Sequence, residues 1–215
     1  FKLFRNLNLA ALSSITFYLL PAVTVSSFFV STDIILILFW SLSLLFLLKI
    51  REDNSLQNFI FLGIFLGLAF LAKYAAIYFF LSLLVIIIFD TKLKIAFLKN
   101  YKYSLFFLVT TLVVFLPNIV WNINNGWVTI NHISENAGLN RASINLINSV
   151  EFALSQILMM GPFVVLIVFF SIKKFKPTFE TKFLLSFSLP ILLIVIIESL
   201  LVRSNANWAA VALVS

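Results

Sequence analysis

The chain has no cysteine and a single histidine among its 215 residues. Disulfides and thiolate metal sites are therefore excluded, and the redox compartment leaves no mark in the sequence. Charge is scarce too. Only 11% of residues are charged and 62% are hydrophobic, whereas a soluble domain is about a quarter charged and about half apolar. A soluble fold of this length could not cover so much apolar surface, so lipid is the expected solvent. No Gly-rich phosphate loop, HExxH motif or DxD-like nucleotide-sugar signature occurs. There is no clear internal repeat and no evident cleavable signal peptide. Residue 1 is Phe rather than Met, and the last apolar run, Trp208 to Val214, is still open where the sequence stops. The chain is therefore expected to be an internal piece of a longer protein.

What is present is a series of apolar runs. Phe alone accounts for 26 residues, an excess that AT-rich codons also favour. The runs read as spans over about 7–29 (containing Pro21), 33–48, 103–120, 150–170 and 183–202, with a partial one from 208. The run from Asn58 to Phe89 needs a different treatment. As one helix it would reach about 50 Å, against a hydrocarbon core of about 30 Å. Lys73-Tyr74 sits in its middle, so it divides into 58–72 and 74–89. The expected fold is all-α, a polytopic transmembrane helix bundle forming one transmembrane domain over 1–215.

The charges test that topology, because Lys and Arg concentrate in cytoplasmic loops. Lys2, Arg5, Lys49, Arg51, Lys92, Lys94, Lys99, Lys102, Lys173, Lys174, Lys176 and Lys182 all fall on one side when the split is made at Lys73. Lys73, Arg141 and Arg203 fall on the other. Without the split the alternation fails. The net charge of +7 is thus a topology signal, and no nucleic-acid partner is implied. The same division sends Asp33, Lys73, His132, Glu135, Arg141, Glu151, Glu198, Arg203, Asn205 and Asn207 to the outer side or outer helix ends. Charges beside apolar segments are costly, so their clustering suggests a site that opens outward.

Each candidate also has a plainer reading. Thr32 can cap a helix and Asp33 complement its dipole. Lys73 can snorkel from a tight outer turn. His132 can be a solvated loop histidine. Gly63 and Gly67 have the GxxxG spacing of close helix packing. Pro117, Pro162 and Pro190 mark helix ends or kinks. Trp121, Trp127 and Trp208 fit an interfacial aromatic belt.

The order of the motifs is more specific than any one of them. Leu20-Pro21 precedes Ser31-Thr32-Asp33. Gly63 to Ala69 leads into Leu71-Ala72-Lys73-Tyr74. Leu116-Pro117-Asn118 and Trp121 follow, then Gly126-Trp127 and His132, then Glu151-Phe152 and Gln156 before Gly161-Pro162. Asn205-Ala206-Asn207-Trp208-Ala209-Ala210 closes the series. This order resembles the bacterial branch of the protein-O-mannosyltransferase superfamily, membrane glycosyltransferases of the GT-C fold that include the lipid A aminoarabinose transferases. The resemblance covers almost the whole chain. Two positions depart from the pattern: no Pro separates Thr32 from Asp33, and Ala206 stands where Pro is usual before Asn207-Trp208.

The resemblance implies transfer of a sugar from a polyprenyl-phosphate carrier to a lipid, glycan or protein acceptor. The reaction is implied on the outer face of the plasma (inner) membrane. Asp33 matches the family's second important acid, which makes it the catalytic candidate within this chain. Lys73 matches its phosphate-binding lysine. His132 falls where some relatives carry a metal-binding histidine, and a divalent ion is the one cofactor the resemblance suggests. Arg203 adds a second candidate contact to the donor phosphate. The family's main catalytic Asp precedes everything in this chain, so the chain alone is expected to be inactive. The rival reading is a multi-pass transporter or flippase of lipid-linked saccharides. Such a protein would place its ionisable residues at mid-membrane on broken helices.

Overall fold

The computed structural model describes residues 2–29, 31–137, 144–202 and 204–214. Arg141 and Arg203 lie outside the described residues. The chain is a bundle of helices. Helix α1 (Leu7–Leu19) starts at Asn6, whose Oδ1 accepts the Leu9 N–H at 3.1 Å. It stops at Leu20, because the residue before a proline is driven out of the α region. Pro21 then opens α2 (Pro21–Phe28), bent by 58° from α1. Helix α3 (Thr32–Glu52) carries Asp33 in its first turn and Lys49 and Arg51 in its last, the polarity the helix dipole favours. Helix α4 (Leu56–Ala72) ends at Lys73, whose backbone is extended (φ −162°, ψ 137°). A 3₁₀ turn, Tyr74–Ile77, leads into α5 (Tyr78–Phe89). The apolar run is therefore interrupted at Lys73.

Two segments read from sequence as loops are helical. Helix α6 (Thr91–Lys99) crosses the lysine-rich stretch at 113° to the preceding segment. Asp90 caps it through the Leu93 N–H at 2.9 Å, and Leu93, Ala96 and Phe97 form its buried face. Helix α8 (Val128–Ala137) occupies part of the polar stretch after α7 (Tyr101–Asn124).

The run read as one span over 150–170 is two helices. Helix α9 (Leu146–Met160) starts earlier, under the Asn145 side chain, and α10 (Pro162–Ser171) turns away from it at 97°. The cause is local. Gly161 has φ +86°, a conformation other residues rarely adopt, and Pro162 cannot donate to the helix before it. Pro117 and Pro190 instead lie inside α7 and α11 (Phe179–Leu201), which stay continuous as helices. Neighbouring helices in a membrane bundle tolerate such prolines. The last segment, Ala206–Val214, is 3₁₀ and kinked at Ala209, with Ala209 to Leu213 buried.

Helices α3, α7 and α11 are long and apolar enough to cross a membrane, and three bent pairs meet the same test together. Leu112, Val113, Phe163, Phe169 and Leu193 are among many large apolar side chains left exposed, as a lipid-facing surface requires. The core lies among α3, α4, α5 and α11. Trp40 meets Phe79 edge-on at 5.1 Å, and Phe187 closes the cluster at 5.1 Å from Phe79. Such aromatic pairs add about 0.5–1.5 kcal/mol beyond burial.

Helix α4 is wedged between α3 and α7. A Cβ on Gly63 would lie 2.6 Å from the Phe107 carbonyl oxygen, and one on Gly67 would lie 2.7 Å from the Val114 Cβ. The two glycines therefore set how closely α4 and α7 approach.

Candidate functional site

Three distant motifs meet at one end of the bundle. The Lys73 Nζ lies 2.6 Å from the Asp33 Oδ1, and the Asn207 Nδ2 donates to the Asp33 Oδ2 at 2.8 Å. Each partner is delivered by a different device. Asp33 rides on the first turn of α3. Lys73 sits in the extended break after α4, where its N–H still closes the helix onto the Ala69 carbonyl at 3.0 Å. Asn207 belongs to the 3₁₀ segment, packed against α3 and α11.

The capping account of Thr32-Asp33 needs correction. Ser31, not Thr32, occupies the cap position, and no side chain caps the helix there. Both Asp33 oxygens are directed to Lys73 and Asn207 instead. Burial differs across the ion pair: the Asp33 side chain is 8% exposed and that of Lys73 24%. The carboxylate is enclosed while the ammonium remains reachable. An ammonium has three N–H donors, and the contact to Asp33 uses one of them.

Tyr74 takes the neighbouring direction. Its hydroxyl donates to the Asn118 Oδ1 and accepts from the Asn122 Nδ2 at 3.1 Å. Asn122 is buried and ties down the chain beyond α7. Its carbonyl accepts the Trp127 N–H at 2.8 Å and its Oδ1 the Thr129 N–H at 3.3 Å. That loop turns at Gly126 (φ +66°) and Trp127 (φ +60°). A groove of about 320 Å³ opens above this network, walled by Phe70, Ile77, Phe115, Ile119 and Trp127.

The structure thus joins Asp33 and Lys73 among the residues singled out by sequence. His132 is exposed on α8, a separate element, and Arg203 lies outside the described residues. Among the described residues, no group of three or more His, Asp or Glu side chains could hold a metal ion. Sequence reasoning quoted Asn207, Tyr74, Asn118 and Gln156 as motif members without giving them a role. Asn207 grips Asp33, while the Gln156 Nε2 holds the Ala206 carbonyl at 2.9 Å, one residue before Asn207. The ordered motif was the signal available for all four.

The two ends of the bundle differ in charge. Arg51, Lys92, Lys102 and Lys182 stand at the end that carries the C-terminus of α3 and the N-termini of α7 and α11. Asp33, Lys73, Asn118, Asn122 and Asn207 stand at the opposite end. Apolar helices of membrane-crossing length, with a buried acid and a reachable cation at the less basic end, define a multi-pass membrane protein with a charged centre at that end.

The chain belongs to the dolichyl-phosphate-mannose-protein mannosyltransferase family, membrane glycosyltransferases of the GT-C type, whose model matches residues 1–121. That stretch contains Asp33, Lys73, Tyr74 and Asn118; Asn207 lies beyond it. The chain is also similar to the lipid A galacturonosyltransferase RgtD of Rhizobium johnstonii, at 28% identity over 203 residues. The match covers 93% of this chain and 42% of that protein, so the chain spans less than half of that relative's length. No solved structure matches it.

Proposed function

We propose that the protein moves a sugar from a polyprenyl-phosphate carrier to an acceptor hydroxyl on the non-cytoplasmic side of the membrane. The observation that carries this reading is the Asp33–Lys73–Asn207 centre at the end of the bundle opposite the basic loops. An excess of Lys and Arg is characteristic of cytoplasmic loops, which supports an outward-facing centre.

In the reaction an acceptor hydroxyl attacks the anomeric carbon, the bond from that carbon to the phosphate oxygen breaks, and the hydroxyl's proton is lost to a base and ends on the released phosphate monoester. The carrier phosphate departs with the electron pair, and the sugar passes through an oxocarbenium-like state. Lys73 meets the charge growing on the phosphate with the N–H groups that Asp33 leaves unused. A preplaced cation of this kind contributes to transition-state stabilisation without reorganising. Asp33, with an oxygen on each of Lys73 and Asn207, acts as the positioning residue that aims the ammonium. The carrier's isoprenoid chain lies in the apolar groove beside Tyr74, directly next to Lys73 in sequence. The name of the relative makes galacturonic acid the first sugar to try and lipid A the first acceptor.

The test is sugar transfer by the full-length protein in liposomes, with labelled polyprenyl-phosphate sugars as donors. Lys73→Ala is expected to lower kcat/KM by about 10²–10³-fold, the range for loss of one oriented stabilising group. Asp33→Asn keeps the bond to Asn207 but loses the charge that aims Lys73, so its expected loss is smaller. Wild-type protein that transfers sugar from no lipid-linked donor would overturn the reading and favour the transporter instead.

A further inference from the structure

A second recess lies at the same end of the bundle. It has a volume of about 220 Å³ and is formed by Asn148, Glu151 and Ser155 on α9 facing Ser204 and Asn205, with Phe152 at its base. None of these residues takes part in the Asp33–Lys73–Asn207 contacts.

Its walls are fixed from behind. Phe152 is buried at 2% exposure in the main core. Gln156, one turn along α9, clamps the Ala206 carbonyl, and the Trp208 N–H donates to the Asn205 carbonyl at 3.0 Å. Its hydrogen-bonding capacity is incompletely used. The Ser204 hydroxyl is buried and has no partner among the described residues, and the same holds for the Gln156 Oε1 behind the wall. An unpaired buried hydroxyl is unfavourable; Ser31, Trp40 and Ser82 also carry one buried unpaired polar atom each, but Ser204 alone of these lines this recess. The Glu151 and Asn205 side chains stand exposed at the mouth.

The donor and acceptor set is therefore one carboxylate, two amides and two hydroxyls around a single aromatic ring. That chemistry suits neighbouring hydroxyl groups on a small ring and offers little to a hydrocarbon chain. The volume lies below the ~300–1,000 Å³ of pockets for drug-sized ligands, which favours one ring over an extended oligomer. Asn205 is two residues from Asn207, at most about 7 Å along the chain. A ring held here lies beside the charged centre.

We propose that this recess binds one monosaccharide unit, with Glu151, Asn205 and the Ser204 hydroxyl bonding its hydroxyl groups. This rests on the glycosyl-transfer reading. The ring belongs either to the donor or to the acceptor, and the experiment separates the two.

The experiment compares Glu151→Gln, Asn205→Ala and Ser204→Ala in the full-length protein in liposomes, titrating donor and acceptor in turn. The expected result is a KM raised about tenfold for one substrate, the loss of about one hydrogen bond, with kcat and the thermal midpoint little changed. The substrate whose KM moves is the one whose sugar sits in the recess. Ser204→Ala is the sharpest arm. A merely structural serine with no partner would be neutral or stabilising when removed, whereas a ligand-bonding one raises KM. Where a variant fails to fold, the other two are read in the same way. Saturation-transfer NMR with methyl galactopyranoside and methyl galacturonopyranoside is run alongside. A signal that Glu151→Gln abolishes supports the recess even if transfer is absent, in which case only the reaction falls. Wild-type transfer with unchanged KM values for both substrates in all three variants overturns the subsite.

Discussion

Both ends of the bundle hold a carboxylate gripped by a cation, yet the two ion pairs are built differently. At the basic end, Asp90 accepts from the Arg51 Nε at 3.1 Å and Nη2 at 3.0 Å while its other oxygen caps α6. The Arg51 guanidinium also lies 3.5 Å from the Phe179 ring centroid. A planar, stacked fork of this kind has little left to offer a ligand, and a cap explains why the acid is there. At the other end the acid caps nothing. Its cation is a lysine in a chain break, still reachable and with donors unused, and its second partner comes from 174 residues away. The first pair closes a structure; the second leaves a cation available. Distances alone would not separate them, since both are short.

The largest expected effect follows from removing one partner at the Lys73 end. Lys73→Met leaves the enclosed Asp33 without its counter-charge, which costs about 3–5 kcal/mol for a buried pair broken on one side. Lost transfer by this variant is therefore ambiguous by itself. Adding Asp33→Asn removes both charges and keeps an oxygen for Asn207. The double variant is expected to recover most of the thermal midpoint in detergent while transfer stays absent. Recovery of transfer along with stability would mean that Lys73 serves only to neutralise Asp33.

The next effect tests how far the Lys73 end depends on packing remote from it. Gly67 lies on α4 six residues before Lys73, and a Cβ there would meet the Val114 Cβ at 2.7 Å and the Thr111 carbonyl oxygen at 2.9 Å. Gly67→Ala must push α4 off α7, at a cost of about 1–3 kcal/mol for an overpacked contact. Because Tyr74 bonds Asn118 on α7, the shift also misplaces the lysine. We expect a lower midpoint together with a lower kcat per folded molecule. An unchanged kcat would show that the centre tolerates movement of α4.

Sequence made some of this legible and physically could not reveal the rest. The break at Lys73 was readable because the 32-residue run from Asn58 to Phe89 is too long for a bilayer and because the lysine-rich loops alternate only with that break. The bend at Gly161 was marked by its proline, but its angle depends on a positive φ that composition does not state. Helix α6 carried its signal, the apolar spacing Leu93, Ala96 and Phe97, beneath three lysines that read as a loop. Helix α8 was hidden in the same way by its polar composition. The site was half legible. Asp33, Lys73 and Asn207 were each visible within motifs, but their meeting spans 40 and 174 positions, and no local pattern encodes a pairing at that range. The cap was misplaced by one residue because Ser31 and Thr32 are adjacent and both are capping types.

The smallest effect belongs to the basic end. Glu52 accepts from the Lys2 Nζ at 2.7 Å and the Arg5 Nη2 at 2.8 Å, with both cations largely exposed. Exposed pairs contribute about 0–1 kcal/mol, because solvent screens them and ordering long side chains opposes them. Glu52→Gln is thus expected to move the thermal midpoint by little and to leave KM and kcat unchanged, with the residual shift vanishing as salt is raised. The measurement is a pair of unfolding curves at low and high salt, with transfer assayed on the same preparations. A loss of transfer that salt does not mimic would mean that this end communicates with the centre at Lys73, and the division between a closing pair and an available cation would then fail.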